Sequence, residues 1–293
     1  MRQFVRRIGA LVIAVSASAL LGVAIDHAPA LAAREADSAD IIAQFGLAPS
    51  GWRMYNLNAT DYYDPLEGPK PVTNDPAYPH VGNLQEGQKT HRVADLSNPI
   101  LQPWVREQMQ PTNDEVLAGK TPFVATSLCW PNGVPAQLLV PNRIFFLQKP
   151  DEITMMFERD HHVRRIRLNQ EHSENPAPSW FGESIGHYEG GDTLVIDTIG
   201  LSDHPLSFVD NFRTPHSEQL HVIERWKIVD EGQLIEVDFT VYDPGAFTMP
   251  WSGRMSYRRD ARGPMVEFIC AENNRDPWDL DAYSMPQDMT PDF

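Results

Sequence analysis

From residue 123 onward this chain is a succession of short strand-like runs separated by short polar turns. The runs 138–140, 144–148, 153–159, 163–168, 183–189, 193–199, 220–229, 234–242, 252–259 and 265–270 are rich in β-branched and aromatic residues. The links KPDE, RDHH, EGGD, VDEGQ and DARGP are too short to carry the chain across a sheet. Links of that length make consecutive strands antiparallel. Eight or more such strands in about 150 residues predict a mainly β fold, an antiparallel up-and-down barrel; an open sandwich is the alternative. The stretch 179–200, SWFGESIGHYEGGDTLVIDTIG, reads as the central hairpin, with Gly190, Gly191 and Asp192 at its turn.

The flanks are organised differently. Residues 1–32 place Arg2, Arg6 and Arg7 before an apolar run that ends in Ala30-Leu31-Ala32. That is a secretory signal with cleavage near Ala32, and it predicts a periplasmic or secreted protein. An uncleaved membrane anchor is the other reading, but the run falls short of the roughly 20 residues a span needs. Residues 33–120 hold an irregular arm that packs on the core, with a possible short helix at 37–45. A helix capped by Asn98 with Pro99 in its first turn follows, since Ile100, Leu101, Trp104, Val105 and Met109 share one side. Pro111 is expected to break it, and 113–118 to add a further turn or two ending at Gly119, for one or two short helices in all. The barrel occupies 121–274 and an acidic tail 275–293.

Charge and cysteine usage narrow the partners. The formal net charge is −16, and the leader holds three arginines and Asp26, so the exported chain is near −18. Such a surface opposes nucleic acid and anionic lipid. No stable membrane insertion is expected after cleavage. In an exported chain the two cysteines, Cys129 and Cys270, most simply form a disulfide, with two buried thiols as the alternative. No Cys-x-x-Cys, His-Glu-x-x-His or His-x-His spacing occurs, so neither a metal nor a cofactor is expected.

Strand alternation assigns faces. Leu220, Val222, Glu224, Trp226 and Ile228 share the apolar face of one strand, with Glu224 in its middle. Arg164, Ile166 and Leu168 share the apolar face of another, with His162 at its rim. Two readings follow: an Arg164–Glu224 pair across the interior, or a ligand-facing acid. Asp197 is a second candidate carboxylate in a strand that is apolar on both faces, whose outer face would need the arm or the helix as cover. Three loops, 172–180, 203–216 and 243–251, mix aromatic, proline and charged residues as ligand-binding rims do. They offer Trp180, Arg213, His216 and Trp251 as ligand contacts, while Tyr188 and Trp226 would line the barrel. His172, in the first of these loops, and His221, on the less apolar face of 220–229, are each a possible general acid or base or, taken singly, a hydrogen-bonded structural residue. Gly182 to Gly186 spells the G-x-S-x-G of a nucleophile elbow, but it runs into a hairpin strand and is read as coincidence.

The stretches PSWFGESIGHYEGGDTLVIDTIG, VDNFRTPHSEQLHVIERW, VYDPGAFTMPW and CAENN, with Cys129-Trp130-Pro131 before them, resemble a widespread family of exported bacterial proteins of unknown function. The resemblance covers about residues 99–274 and carries over no reaction. The pattern G-x-Y-E-G-x-D-T-L also looks like the strands of calycin-type barrels, from which this chain departs by one extra glycine at 190–191.

These readings predict an exported enzyme that uses cofactor-free proton transfer in an apolar barrel pocket. It would be a lyase, isomerase or hydrolase acting on an aromatic or terpenoid-like small molecule. The expected catalytic groups are Glu224, Asp197, His187, His162 and Arg164, the last stabilising developing negative charge. Two alternatives are a non-catalytic lipocalin-like binding protein and a structural or interaction protein with a filled barrel. The oligomeric state is left open.

Overall fold

The computed structural model describes residues 51–55, 61–79, 92–120, 123–190 and 192–270. The leader, the expected helix at 37–45 and the acidic tail lie outside them. Among the described residues nine strands close into a barrel: β1 (Trp52–Met54), β2 (Ile144–Gln148), β3 (Glu152–Phe157), β4 (Val163–Leu168), β5 (Glu183–Glu189), β6 (Thr193–Ile199), β7 (His221–Val229), β8 (Leu234–Tyr242) and β9 (Trp251–Arg259). Each strand neighbours the next in sequence, and β1 pairs with both β9 and β2 to close the ring.

The topology corrects the expected all-antiparallel meander. A ring of nine cannot alternate direction all the way round, so at least one neighbouring pair must be parallel. That pair is β4 and β5, with Ile166 opposite Ser184 and Leu168 opposite Gly186. The chain between them, 169–182, must return from one end of the barrel to the other.

Four further expectations change. The arm is not wholly irregular, because residues 52–54 supply the strand that closes the barrel. Residues 138–140 form no strand; Ala136–Leu139 is a 3-10 turn. Residues 265–270 form no strand either, and are held instead by bonds from the barrel, such as the Asp160 amide to the Phe268 carbonyl. Finally, the helix expected to break at Pro111 runs through it as a single element, α1 (Pro103–Leu117). Asn98 turns the chain by accepting the Ile100 amide rather than capping the helix, and Pro103 takes the first helical position. Pro111 does not end it. Its ring and the Glu107 carbonyl it leaves without a helical donor lie on the exposed face, where water can serve that carbonyl. Val105, Met109, Asn113 and Val116 hold the other face to the core. Gly119, at φ 88, follows the end of the helix.

The two ends of the barrel differ. The links 149–151, 190–192 and 230–233 are tight and share one end. The links 158–162, 200–220 and 243–250 share the other, the loop end. There α1 docks on the β8–β9 loop: the Gln102 amide donates to the Ala246 carbonyl at 2.9 Å and Trp104 Nε1 to the Gly245 carbonyl at 2.7 Å. No helix among the described residues is long and apolar enough to cross a membrane.

The interior follows the alternation of each strand. Leu194, Ile196, Trp226, Val237, Met255 and Tyr257 have no accessible surface. A void that admits a water would leave its lining residues some, so side chains fill the barrel at this level. Gly253 shows how tightly. It lies opposite Phe239, and a Cβ there would stand 2.6 Å from Phe239 Cζ and 3.1 Å from Tyr62 Cβ. Gly253→Ala is therefore expected to destabilise the fold by about 1–3 kcal/mol through overpacking. A urea denaturation midpoint equal to that of the unmodified protein would contradict this.

Candidate functional site

The five residues expected to share one pocket do not converge. Arg164 and Glu224 meet inside the barrel as an ion pair. Arg164 Nη1 donates to Glu224 Oε1 at 3.2 Å, and Nη2 reaches both Glu224 Oε2 and Thr198 Oγ1, the latter at 2.7 Å. Arg164 Nε donates to Ser184 Oγ at 3.1 Å. Glu224 and Thr198 have no accessible surface, and Arg164 and Ser184 are buried. Every guanidinium nitrogen and both carboxylate oxygens are thus occupied within the protein. The serine of the G-x-S-x-G sequence is one of these partners.

The remaining predicted groups are spread over the molecule. His187 points outward, is exposed and pairs with Glu189 at 3.2 Å. His162 lies in the β3–β4 link, 3.1 Å from the Cys129 carbonyl and edge-on to Phe181. Tyr188 faces inward near the tight-turn end and accepts a bond from Gln148 Nε2 at 2.7 Å; burial pushes its hydroxyl up to about 12. Trp226 stacks on Tyr257, and Trp251 packs edge-on against Phe239 and Phe247. Both indoles belong to the core. Arg213 is buried in the 200–220 loop, where it donates to the Arg92 carbonyl, and burial lowers it to about 10 despite the nearby Asp210. Trp180 sits at the loop end with Trp130 and His204, and His216 lies deeper in the same loop region, bonded to Ser207.

Asp197 does assemble a site, on the outer wall near the loop end. It stands opposite Ile223 and Ile185, with the start of β7 and the start of β5 one diagonal step away on the same face. Those positions carry His221 and Glu183. Among the described residues, the contacts that reach Asp197 over this wall come from neither the arm nor α1. The 169–182 crossover brings His172 down between the two carboxylates.

The hydrogen bonds assign different roles to the two histidines. Asp197 Oδ1 lies 2.9 Å from Nε2 of His172 and 2.9 Å from Nε2 of His221. Burial pushes Asp197 up, but the bonds from His221 and His172 outweigh it and hold the carboxyl below its usual range. An ionised carboxylate only accepts, so both Nε2 atoms donate. His172 Nδ1 also faces a carboxylate, Glu183 Oε1, at 3.1 Å. With a carboxylate at each of its two nitrogens, His172 acts as a clamp between the wall residues. Burial likewise opposes ionisation of Glu183, yet the Ser173 and His172 bonds and the Arg167 charge bring it down to about 2.

His221 is arranged differently. Its Nδ1 has no hydrogen-bond partner among the described residues, and its side chain is 34% exposed. Its ring lies 5.5 Å from that of Tyr242, which is also exposed. An imidazole held through one N–H by a carboxylate, with the other nitrogen unpaired among the described residues, can take a proton from a bound molecule. Sequence reasoning had picked out Asp197, His172 and His221 separately. Their meeting depends on the parallel β4–β5 pair and its crossover, which no local pattern announces. Among the described residues no group of three or more His, Cys, Asp or Glu side chains is disposed to hold a metal ion.

No family model matches the chain, and no curated protein matches it.

Proposed function

We propose that this protein is an exported small-molecule enzyme that works by cofactor-free proton transfer, with His221 as the base and Asp197 as the group that orients it. The observation that carries this reading is the Asp197 carboxylate. It fixes His221 through Nε2 at 2.9 Å and leaves Nδ1 open beside the exposed ring of Tyr242. That aromatic neighbour suits an apolar, aromatic or terpenoid-like substrate, and the acidic surface disfavours an anionic one. The Cys129–Cys270 disulfide supports an oxidising compartment.

Turnover is to be sought with a panel of neutral aryl esters, epoxides and β-hydroxy ketones. For any compound turned over, His221→Gln and Asp197→Asn are expected to lower kcat by about 100-fold or more, the usual contribution of a positioned base. His187→Gln, on an exposed side chain of the outer wall, leaves it unchanged. A substrate processed equally well without His221 would remove the proposed base. The filled interior favours a second reading, a structural or interaction barrel, under which no compound of the panel is turned over.

A further inference from the structure

A second hydroxyl–imidazole pair lies at the loop end and is not used by the wall site. Ser207 Oγ is 2.8 Å from His216 Nε2, and His216 Nδ1 is 2.9 Å from the Ser217 carbonyl. A carbonyl only accepts, so the Nδ1 atom carries the proton of the neutral ring. Nε2 then presents its lone pair, and the Ser207 hydroxyl must donate to it. This is the hydrogen-bond polarity that general-base activation of a hydroxyl requires, with the carbonyl as the orienting third group. Burial pushes His216 below its ordinary range, against the Ser217 bond and the Asp243 and Asp203 charges, which favours the neutral ring.

The surroundings place this pair beside an aromatic surface. The tight turn 204–207 is closed by the Ser207 amide on the His204 carbonyl at 2.7 Å and by the Leu206 amide on His204 Nδ1 at 3.1 Å. The bridge between Phe208 and Pro215 brings the two limbs of the loop together and so sets His216 against Ser207. Gly133 approaches from a third loop. It has φ 77, and a Cβ on it would meet the Trp180 carbonyl at 3.0 Å and Ser207 Oγ at 3.4 Å. Over the same turn Trp130, Trp180 and His204 form a mutual cluster, with ring centroids 5.1–5.6 Å apart. Trp130 is 37% exposed. Three loops thus present two indoles and an imidazole next to a hydroxyl that points at a base.

We propose that Ser207 and His216 are a nucleophile–base pair that takes an acyl group from a neutral aromatic ester, whose ring is received by Trp130, Trp180 and His204. Ser207 Oγ bonds to the acyl carbon as its proton passes to His216 Nε2. Collapse of the tetrahedral adduct breaks the bond to the leaving oxygen, which takes that proton. Water, deprotonated by the same nitrogen, then attacks the acyl carbon, releases the acid and restores the serine.

The test uses the full chain and an aryl-substituted fluorophosphonate, followed by peptide mapping. Adduct formation needs no turnover at His221, so this inference and the proposed function fail separately. One adduct per chain on Ser207 is expected, with Ser184 unlabelled. The labelling rate is expected to fall by about 100-fold in His216→Gln. In the unmodified protein it should rise with pH with a midpoint below the ordinary histidine range, a readout that does not depend on any variant folding. A folded protein that forms no adduct on Ser207 overturns the inference, as does an equal rate in a folded His216→Gln chain or a midpoint at or above the ordinary range.

Discussion

Glu224→Ala is expected to lower folding stability by about 3–5 kcal/mol, the cost typical of breaking a buried ion pair from one side. Glu224 has no accessible surface, and its two oxygens take both Nη groups of Arg164. Without the carboxylate, the guanidinium stays inside the barrel with only the hydroxyls of Ser184 and Thr198 as partners. Neither hydroxyl offsets its charge. For a chain of this size each kcal/mol moves the melting temperature by about 2–4 °C, so the midpoint should drop by roughly 6–20 °C. Removing both partners has the opposite logic. Arg164→Met with Glu224→Leu replaces two desolvated charges by apolar groups of similar volume, and stability should return to near or above the starting value. Urea denaturation of Arg164→Met and Glu224→Leu, each alone and together, gives the coupling directly. An alanine variant within about 1 kcal/mol of the unmodified protein would mean that the pair is hydrated.

That interior pair is one of the two readings the sequence supports for these residues, the other being the catalytic role. Parity along residues 163–168 and 220–229 put Arg164 and Glu224 on apolar faces, and two opposite charges inside one barrel need each other. The strands at 144–148, 163–168, 183–189, 193–199 and 234–242 were also read with the bounds they have. Two faces of different polarity, ended by turn-forming residues, leave little freedom of register. Where that pattern was missing, the reading failed. The strand Trp52–Met54 is three residues long, too short for alternation to register, and its pairing with β9 on one side and with Ile144 of β2 on the other makes it a strand. The apolar run at 138–140 has the composition of a strand, yet Leu138 and Leu139 are buried in a 3-10 turn.

The sites were legible only in pieces. Asp197, His172 and His221 drew attention one at a time, but a crossover between parallel neighbours brings them together. Ser207 drew none. It lies nine residues before His216 in a loop without periodicity, and the sequence signal for a serine nucleophile pointed instead to Ser184, which is sealed inside the barrel. A hydroxyl and an imidazole in the same proline-containing loop were the only clue to the pair, and that combination is common.

Loss of the Cys129–Cys270 disulfide should be as costly as loss of the interior carboxylate. The two cysteines are 141 residues apart in sequence and span β2 to β9. In the chain-entropy model, a cross-link over that separation removes enough freedom from the unfolded chain to stabilise the fold by about 5 kcal/mol. The effect acts on the unfolded state, so Cys129→Ser with Cys270→Ser should still fold into the same barrel. It should melt roughly 10–20 °C lower. The local bonds around Cys270 support a fold that survives the change. Arg143 donates to the carbonyls of Gly263 and Pro264 and pairs with Glu158, and the Asp160 amide holds the Phe268 carbonyl at 3.0 Å. These contacts keep 261–270 against the β3–β4 link without the covalent tie. Reduction of the unmodified protein should reproduce the shift seen in the double serine variant. An unchanged denaturation midpoint in that variant would refute the unfolded-state account. A variant that has lost its barrel in the absence of denaturant would refute it too, because the closing strand and its partners would then depend on the cross-link for more than entropy.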